Sequence, residues 1–172
     1  MKIVLTILLW LAGTVVYSQN PSPEHALQMD SAAMVRIGCT YLGTPYLAHT
    51  LDLEGEERLI VNRQEVDCIL FVEYTLAEAL GGSFNENLQR IRYRNGVIDG
   101  YTSRLHYTSD WIENGVRSGF LTDVTALHSP HTQTLHLSFM STHPQRYKKL
   151  AQSPEDVARM AECEQRLTGK VG

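Results

Sequence analysis

What the sequence lacks narrows it first. Six prolines and twelve glycines in 172 residues are too few for a fibrous or low-complexity chain, and no internal repeat recurs. There is no block of lysine and arginine: 15 basic residues stand against 19 acidic ones, a formal net charge of −4. That balance leaves no electrostatic footprint for a nucleic-acid partner. No apolar run reaches the roughly 20 residues a membrane-spanning helix needs. What remains is ordinary globular composition, 43% hydrophobic and 20% charged, in a length that suits one domain.

The N-terminus reads as a leader. Met1-Lys2 supplies one positive charge, Ile3 to Val16 is apolar, and Ser18 is a small residue at a plausible cleavage point. Residues 1–18 are therefore expected to be a secretory signal peptide and 19–172 the mature domain, periplasmic or secreted. No cysteine follows the apolar run before Cys39, so no lipid attachment point is expected, and no stable membrane anchor. Export puts the three cysteines, Cys39, Cys68 and Cys163, in an oxidising compartment, where an odd thiol stays unpaired, pairs between chains or does chemistry.

The mature chain opens with helical spacing from Pro23 to Ile37, broken by Gly43-Thr44-Pro45. Leu51, Leu53, Leu59, Ile60 and Val61 predict two short strands around the acidic turn 54–57. Val66 to Leu80 reads as a largely buried helix with Gly81-Gly82 as its stop. Phe84 to Ile91 predicts another helix, Asn95-Gly96 a hairpin turn, Leu135 to Phe139 a strand, and Pro154 to Leu167 a closing amphipathic helix.

Chemistry, if present, starts at Cys68. Asp67 is a good N-cap, which puts Cys68 in the first turn of the helix. Unpaired N–H groups and partial positive charge there favour a thiolate and an oxyanion alike. By themselves these residues fit a buried structural cysteine as well as a nucleophile.

Longer motifs sharpen the reading. Gly43-Thr44-Pro45-Tyr46, Val61-Asn62-Arg63, Val66-Asp67-Cys68 with Phe71-Val72-Glu73, Ile91-Arg92-Tyr93-Arg94-Asn95-Gly96, Ser103-Arg104-Leu105-His106-Tyr107 with Ser109-Asp110-Trp111-Ile112, and Phe139-Met140-Ser141 with His143-Pro144 follow in order. Together they resemble the N-acetylmuramoyl-L-alanine amidase-like branch of the NlpC-type cell-wall cysteine hydrolases, from about residue 25 to 165.

The resemblance implies an α+β, papain-like fold, of which this chain carries the N-terminal, mainly helical part with short strands. It implies a peptidoglycan amidase in which Cys68 attacks the amide between the muramic-acid lactyl group and the first alanine of the stem peptide. Tyr46 maps beside the cysteine, and Arg104, His106, Tyr107 and Asp110 map to the muropeptide site. A bidentate pairing of Arg104 with a muropeptide carboxylate is expected, as is a free Cys68 while Cys39 and Cys163 pair or stay inert. No metal or other cofactor is implied.

Two departures matter. Ile69 and Leu70 stand where the family usually has two threonines. The family's catalytic histidine, in a downstream Ser-His-Val-Gly strand, has no counterpart, so the domain is expected to be incomplete at its C-terminus and inactive alone. Apolar surface on the Cys68 helix is then left exposed. His106 is the in-chain candidate for a substitute base. Two alternatives stay open: an inactive remnant or muropeptide-binding module, and a zinc-binding periplasmic protein using His128, His131, His136 and His143. Mass spectrometry of exported protein is expected to find Gln19 at the N-terminus; an intact Met1 would overturn the leader assignment.

Overall fold

A computed structural model describes residues 31–171; the expected leader and the start of the first helix lie outside the described residues. The elements are α1 (Ser31–Thr40), α2 (Cys68–Ala79), α3 (Phe84–Arg92), α4 (Thr108–Arg117), α5 (Thr125–His128), β1 (Gln133–Leu135), α6 (Phe139–Thr142), α7 (Pro154–Leu167) and β2 (Gly169–Val171). Among the described residues the architecture is mostly helical with one small sheet, an α+β arrangement. In that sheet β1 and β2 run antiparallel, with Thr134 opposite Lys170.

Local chemistry sets the helix ends. Ser153 caps α7 by accepting the Asp156 N–H at 3.1 Å, with Pro154 at the first helical position. Gly81 and Gly82 take φ values of 69° and 70°, which stops α2 because other residues resist the left-handed region. The Asn87 side-chain amide then donates to the carbonyls of Ala77 at 3.0 Å and Gly81 at 2.6 Å, closing the end of α2 from α3.

Two apolar clusters result. Leu70, Tyr74 and Ala77 on α2 pack with Leu88 and Ile91 on α3, joined by Val66 and Phe120. Tyr101, Met140, Leu150 and Met160 form the second cluster, under α7. Ile69 and Val72 on α2 are left exposed.

The segment between α1 and α2 differs from expectation. The two strands expected around residues 54–57 are absent; the only bridge there joins Tyr46 to Val66. Side chains from the core satisfy its backbone instead of a partner strand. Arg92 Nη1 donates to the Ile60 carbonyl at 2.6 Å, Tyr93 Oη to the Arg58 carbonyl at 2.8 Å, and Tyr74 Oη accepts from the Asn62 N–H at 2.9 Å. The expected hairpin after Tyr93 is likewise reduced to a tight turn, with Asn95 at φ 55°, and one bridge from Tyr93 to Arg104. The expected strand ends at Leu135, and Phe139 opens α6 instead.

Beneath this segment lies a buried ion pair. Arg92 Nε and Nη2 both lie 2.8 Å from Glu73 Oε2, with side chains 1% and 3% exposed. Removing one partner of such a pair strands the other charge and costs about 3–5 kcal/mol. Arg92→Met is expected to lose that much stability in denaturant unfolding, and Arg92→Met/Glu73→Leu distinctly less. Equal losses for the single and double variants would show that the pair is not what matters.

Candidate functional site

Cys68 is exposed and opens α2. Asp67, extended at φ −97° and ψ −178°, caps the helix: its Oδ1 accepts the Leu70 N–H at 2.8 Å. The N–H groups of Cys68 and Ile69 come before the first possible intrahelical donors, so helix geometry leaves them without a helical partner. The Gly43-Thr44-Pro45-Tyr46 motif is tied to this start through the backbone. Val66 N–H donates to the Pro45 carbonyl at 3.0 Å and Leu47 N–H to the Val66 carbonyl at 3.3 Å. Tyr46 is thereby held two residues from Cys68 in the bridge register, with its own side chain exposed.

A cleft of about 880 Å³ opens beside this helix start. Asp67, the cap of α2, and Ile69 and Glu73 on that helix line it, with Arg104 and His106 from the segment before α4, and Arg146, Lys148 and Lys149 from the turns before α7. Cys68 lies between two lining residues without itself lining the cleft.

Arg104 is committed to the wall. It is 6% exposed, donates to the Leu51 carbonyl at 3.1 Å and pairs with Asp52 at 3.2 Å and Glu57 at 3.5 Å. Glu57, its side chain 2% exposed, also takes Lys149 Nζ at 2.9 Å and the Tyr93 hydroxyl at 3.0 Å. Burial pushes the Tyr93 hydroxyl well above its ordinary range, and Glu57 adds to the shift.

His106 sits half-buried against Tyr101, ring centroids 4.4 Å apart. Its Nε2 lies 3.0 Å from the Tyr101 carbonyl. A carbonyl only accepts, so Nε2 carries the proton and Nδ1 keeps a lone pair. Burial, reinforced by the Arg104 charge, pulls the imidazole down to about 4.

Tyr107 and Asp110 face elsewhere. Tyr107 Oη donates to Glu164 on α7 at 2.5 Å and accepts the Met140 N–H at 3.2 Å. Asp110 takes Arg94 at 2.8 Å and Arg166 at 2.5 Å. The Cys163 thiol donates to the same carboxylate at 3.4 Å, and burial together with Asp110 raises that thiol above its usual range. The structure thus gathers Arg104 and His106 at the cleft, bridges Tyr46 to Val66 two residues before Cys68, and turns Tyr107 and Asp110 toward α7. All three cysteines are free thiols.

Sequence reasoning missed Asp52, Glu57, Arg146 and Lys149, all lining or bracing the cleft. The Lys148-Lys149 doublet was the one available signal, and nothing in the sequence aligns it with a loop more than 90 residues earlier. Among the described residues no group of three histidines, cysteines or carboxylates is placed to hold a metal ion, and no helix is long and apolar enough to cross a membrane.

The model of the N-acetylmuramoyl-L-alanine amidase-like family matches residues 36–169, and the chain belongs to that family. It is similar to the crystal structure of an N-acetylmuramoyl-L-alanine amidase from Bacteroides uniformis ATCC 8492, with 56% identity and a TM-score of 0.79. That match covers 81% of this chain and 62% of the other. It is also similar to a Bacteroides fragilis protein described as a xylanase, 56% identical, TM-score 0.76, over 79% of this chain and 63% of that one. The chain therefore spans less than two thirds of the length of these structures. No curated protein matches it.

His106 makes a pH prediction. Its folded value, about 4, lies below the ordinary 6.5, so the unfolded chain takes up the proton first. Stability from this group is complete above about 6.5 and is lost as pH falls toward about 4. Denaturant unfolding at pH 7.5 and 4.5 is expected to show about 1–2 kcal/mol less acid loss in His106→Asn than in the unchanged chain. Identical acid losses would contradict the neutral, half-buried imidazole.

Proposed function

We propose that this chain is the cysteine-bearing part of a papain-like, NlpC-type peptidoglycan amidase that acts on muropeptides in the periplasm or outside the cell. The observation that carries the reading is the position of Cys68. It is exposed at the start of a capped helix, flanked by two residues of a charged cleft. Membership of the amidase-like family supports the substrate class.

In this reading the Cys68 thiolate adds to the lactyl carbonyl carbon of the muramoyl–alanine amide. The oxygen takes up the negative charge, and the N–H groups of Cys68 and Ile69 stabilise it; one such donor is worth about 10²–10³ in rate. Collapse breaks the C–N bond, the alanine nitrogen leaves with a proton, and water hydrolyses the thioester to free Cys68. Tyr46, Arg104 and His106 shape the site at which the substrate sits. Tyr107 and Asp110 contribute from behind it, by fixing α4 and α6 against α7.

A histidine must both activate the thiol and return a proton to the departing amine. His106 is not our choice, because its Nε2–H is committed to the Tyr101 carbonyl and burial opposes its charging. We assign the base to the part of the fold present in the longer structural neighbours and not spanned here. On that view the 172-residue chain by itself binds muropeptides and turns them over little or not at all. The second reading, a binding module without catalysis, is favoured by the same cleft. Carboxylates such as Glu73 and Glu57 that a glycosidase would need are tied to arginine and lysine, which argues against sugar-bond chemistry.

The test is release of stem peptide from a muropeptide by the purified chain. Turnover near background, with any residue of it removed by Cys68→Ala, is expected. Turnover unaffected by Cys68→Ala would refute the nucleophile, and turnover removed by His106→Asn would move the base inside this chain.

A further inference from the structure

We propose that Arg146 is the residue that grips a free carboxylate of the muropeptide stem, an inference that rests on the muropeptide reading above. Sequence spacing directs attention to Arg104 for this duty, but the structure leaves Arg104 little to offer. Its guanidinium is buried and engaged by Asp52, Glu57 and the Leu51 carbonyl. Drawing it to a ligand would break these contacts and leave the buried Glu57 carboxylate with one cation fewer, which is unfavourable.

The other cations of the cleft also have carboxylate partners. Arg92 is paired with Glu73 and Lys149 with Glu57 in buried pairs, and Lys148 reaches Glu54 in an exposed one. Arg146 alone among these lining cations has no carboxylate partner among the described residues. It ends the turn Pro144–Arg146 and is exposed at the cleft.

What holds it is a ring. The Arg146 guanidinium lies 5.7 Å from the Phe139 ring centroid. Phe139 is itself stacked on His143 at 4.5 Å and 19°. A cation over an aromatic face is oriented without spending its N–H groups, which lie in the guanidinium plane. Arg146 therefore presents a preset two-pronged donor edge, the geometry a carboxylate accepts in bidentate fashion. A cleft of about 880 Å³ has room for a sugar-peptide ligand around that contact. Arg146 is thus a specificity residue: it selects stems whose carboxylate is free over stems in which it is amidated.

Titration calorimetry in the Cys68→Ala background, so that turnover cannot consume ligand, tests this with two muropeptides. One bears free stem carboxylates and the other is the same compound amidated. The free acid is expected to bind about tenfold to a hundredfold more tightly, the range for a hydrogen bond to a charged group. Arg146→Gln should erase that preference by weakening only the free acid, and Arg146→Lys should restore part of it. Because Arg146 is exposed, an unchanged melting temperature is expected for both variants. A preference that survives Arg146→Gln overturns the assignment while leaving the muropeptide reading intact. Binding of neither ligand to any variant rejects the muropeptide reading and this inference with it.

Discussion

One buried cation holds the cleft in shape. The Arg92 guanidinium has almost no contact with water, yet it joins three segments: it belongs to α3, pairs with Glu73 of α2 and donates to the Ile60 carbonyl. A charge removed from water is tolerated only when paired and hydrogen-bonded. Both contacts are therefore needed together to keep the charge satisfied. The segment leading into α2 has no strand ladder to fall back on, so its path depends on this guanidinium and on the hydroxyls of Tyr74 and Tyr93.

Carboxylates repeat the device at other seams. Glu57 gathers Arg104, Lys149 and Tyr93, which joins the loop before α2 to the turns before α7 across the cleft. Asp110 clamps α4 to α7 through Arg94 and Arg166. Glu164 accepts the Met140 N–H at 2.8 Å and the Ser141 N–H at 3.2 Å, fixing the start of α6 from α7. Burial pushes the Glu164 carboxyl up, but these hydrogen bonds, with the one from Tyr107, together outweigh it and hold the carboxyl below its usual range. Long-range charge pairs, rather than sheet pairing, fix where the loops run.

That division explains what the sequence disclosed. α2 and α7 were legible because Asp67 and Ser153 mark their starts and Gly81-Gly82 the end of α2; capping is local chemistry within a few residues. The strands around residues 54–57 were misread because alternating apolar residues predict a ladder only when a partner strand exists. Here Leu51, Arg58 and Ile60 offer their carbonyls to side chains instead. The Arg104–Asp110 block reads in sequence as one surface, but α4 begins at Thr108 and carries Asp110 round to α7. Arg146 carried no local signal, because its meaning lies in which of its neighbours are already paired.

On the proposed reading, Cys68 lies where a bound muropeptide sits. Cys39 is equally an exposed thiol, which makes it an internal reference. The most direct measurement is the rate of iodoacetamide labelling at each cysteine, mapped by peptide mass spectrometry with and without saturating muropeptide. Ligand is expected to slow labelling of Cys68 at least several-fold and to leave Cys39 unchanged. Equal labelling of Cys68 in the presence and absence of bound ligand would contradict that reading.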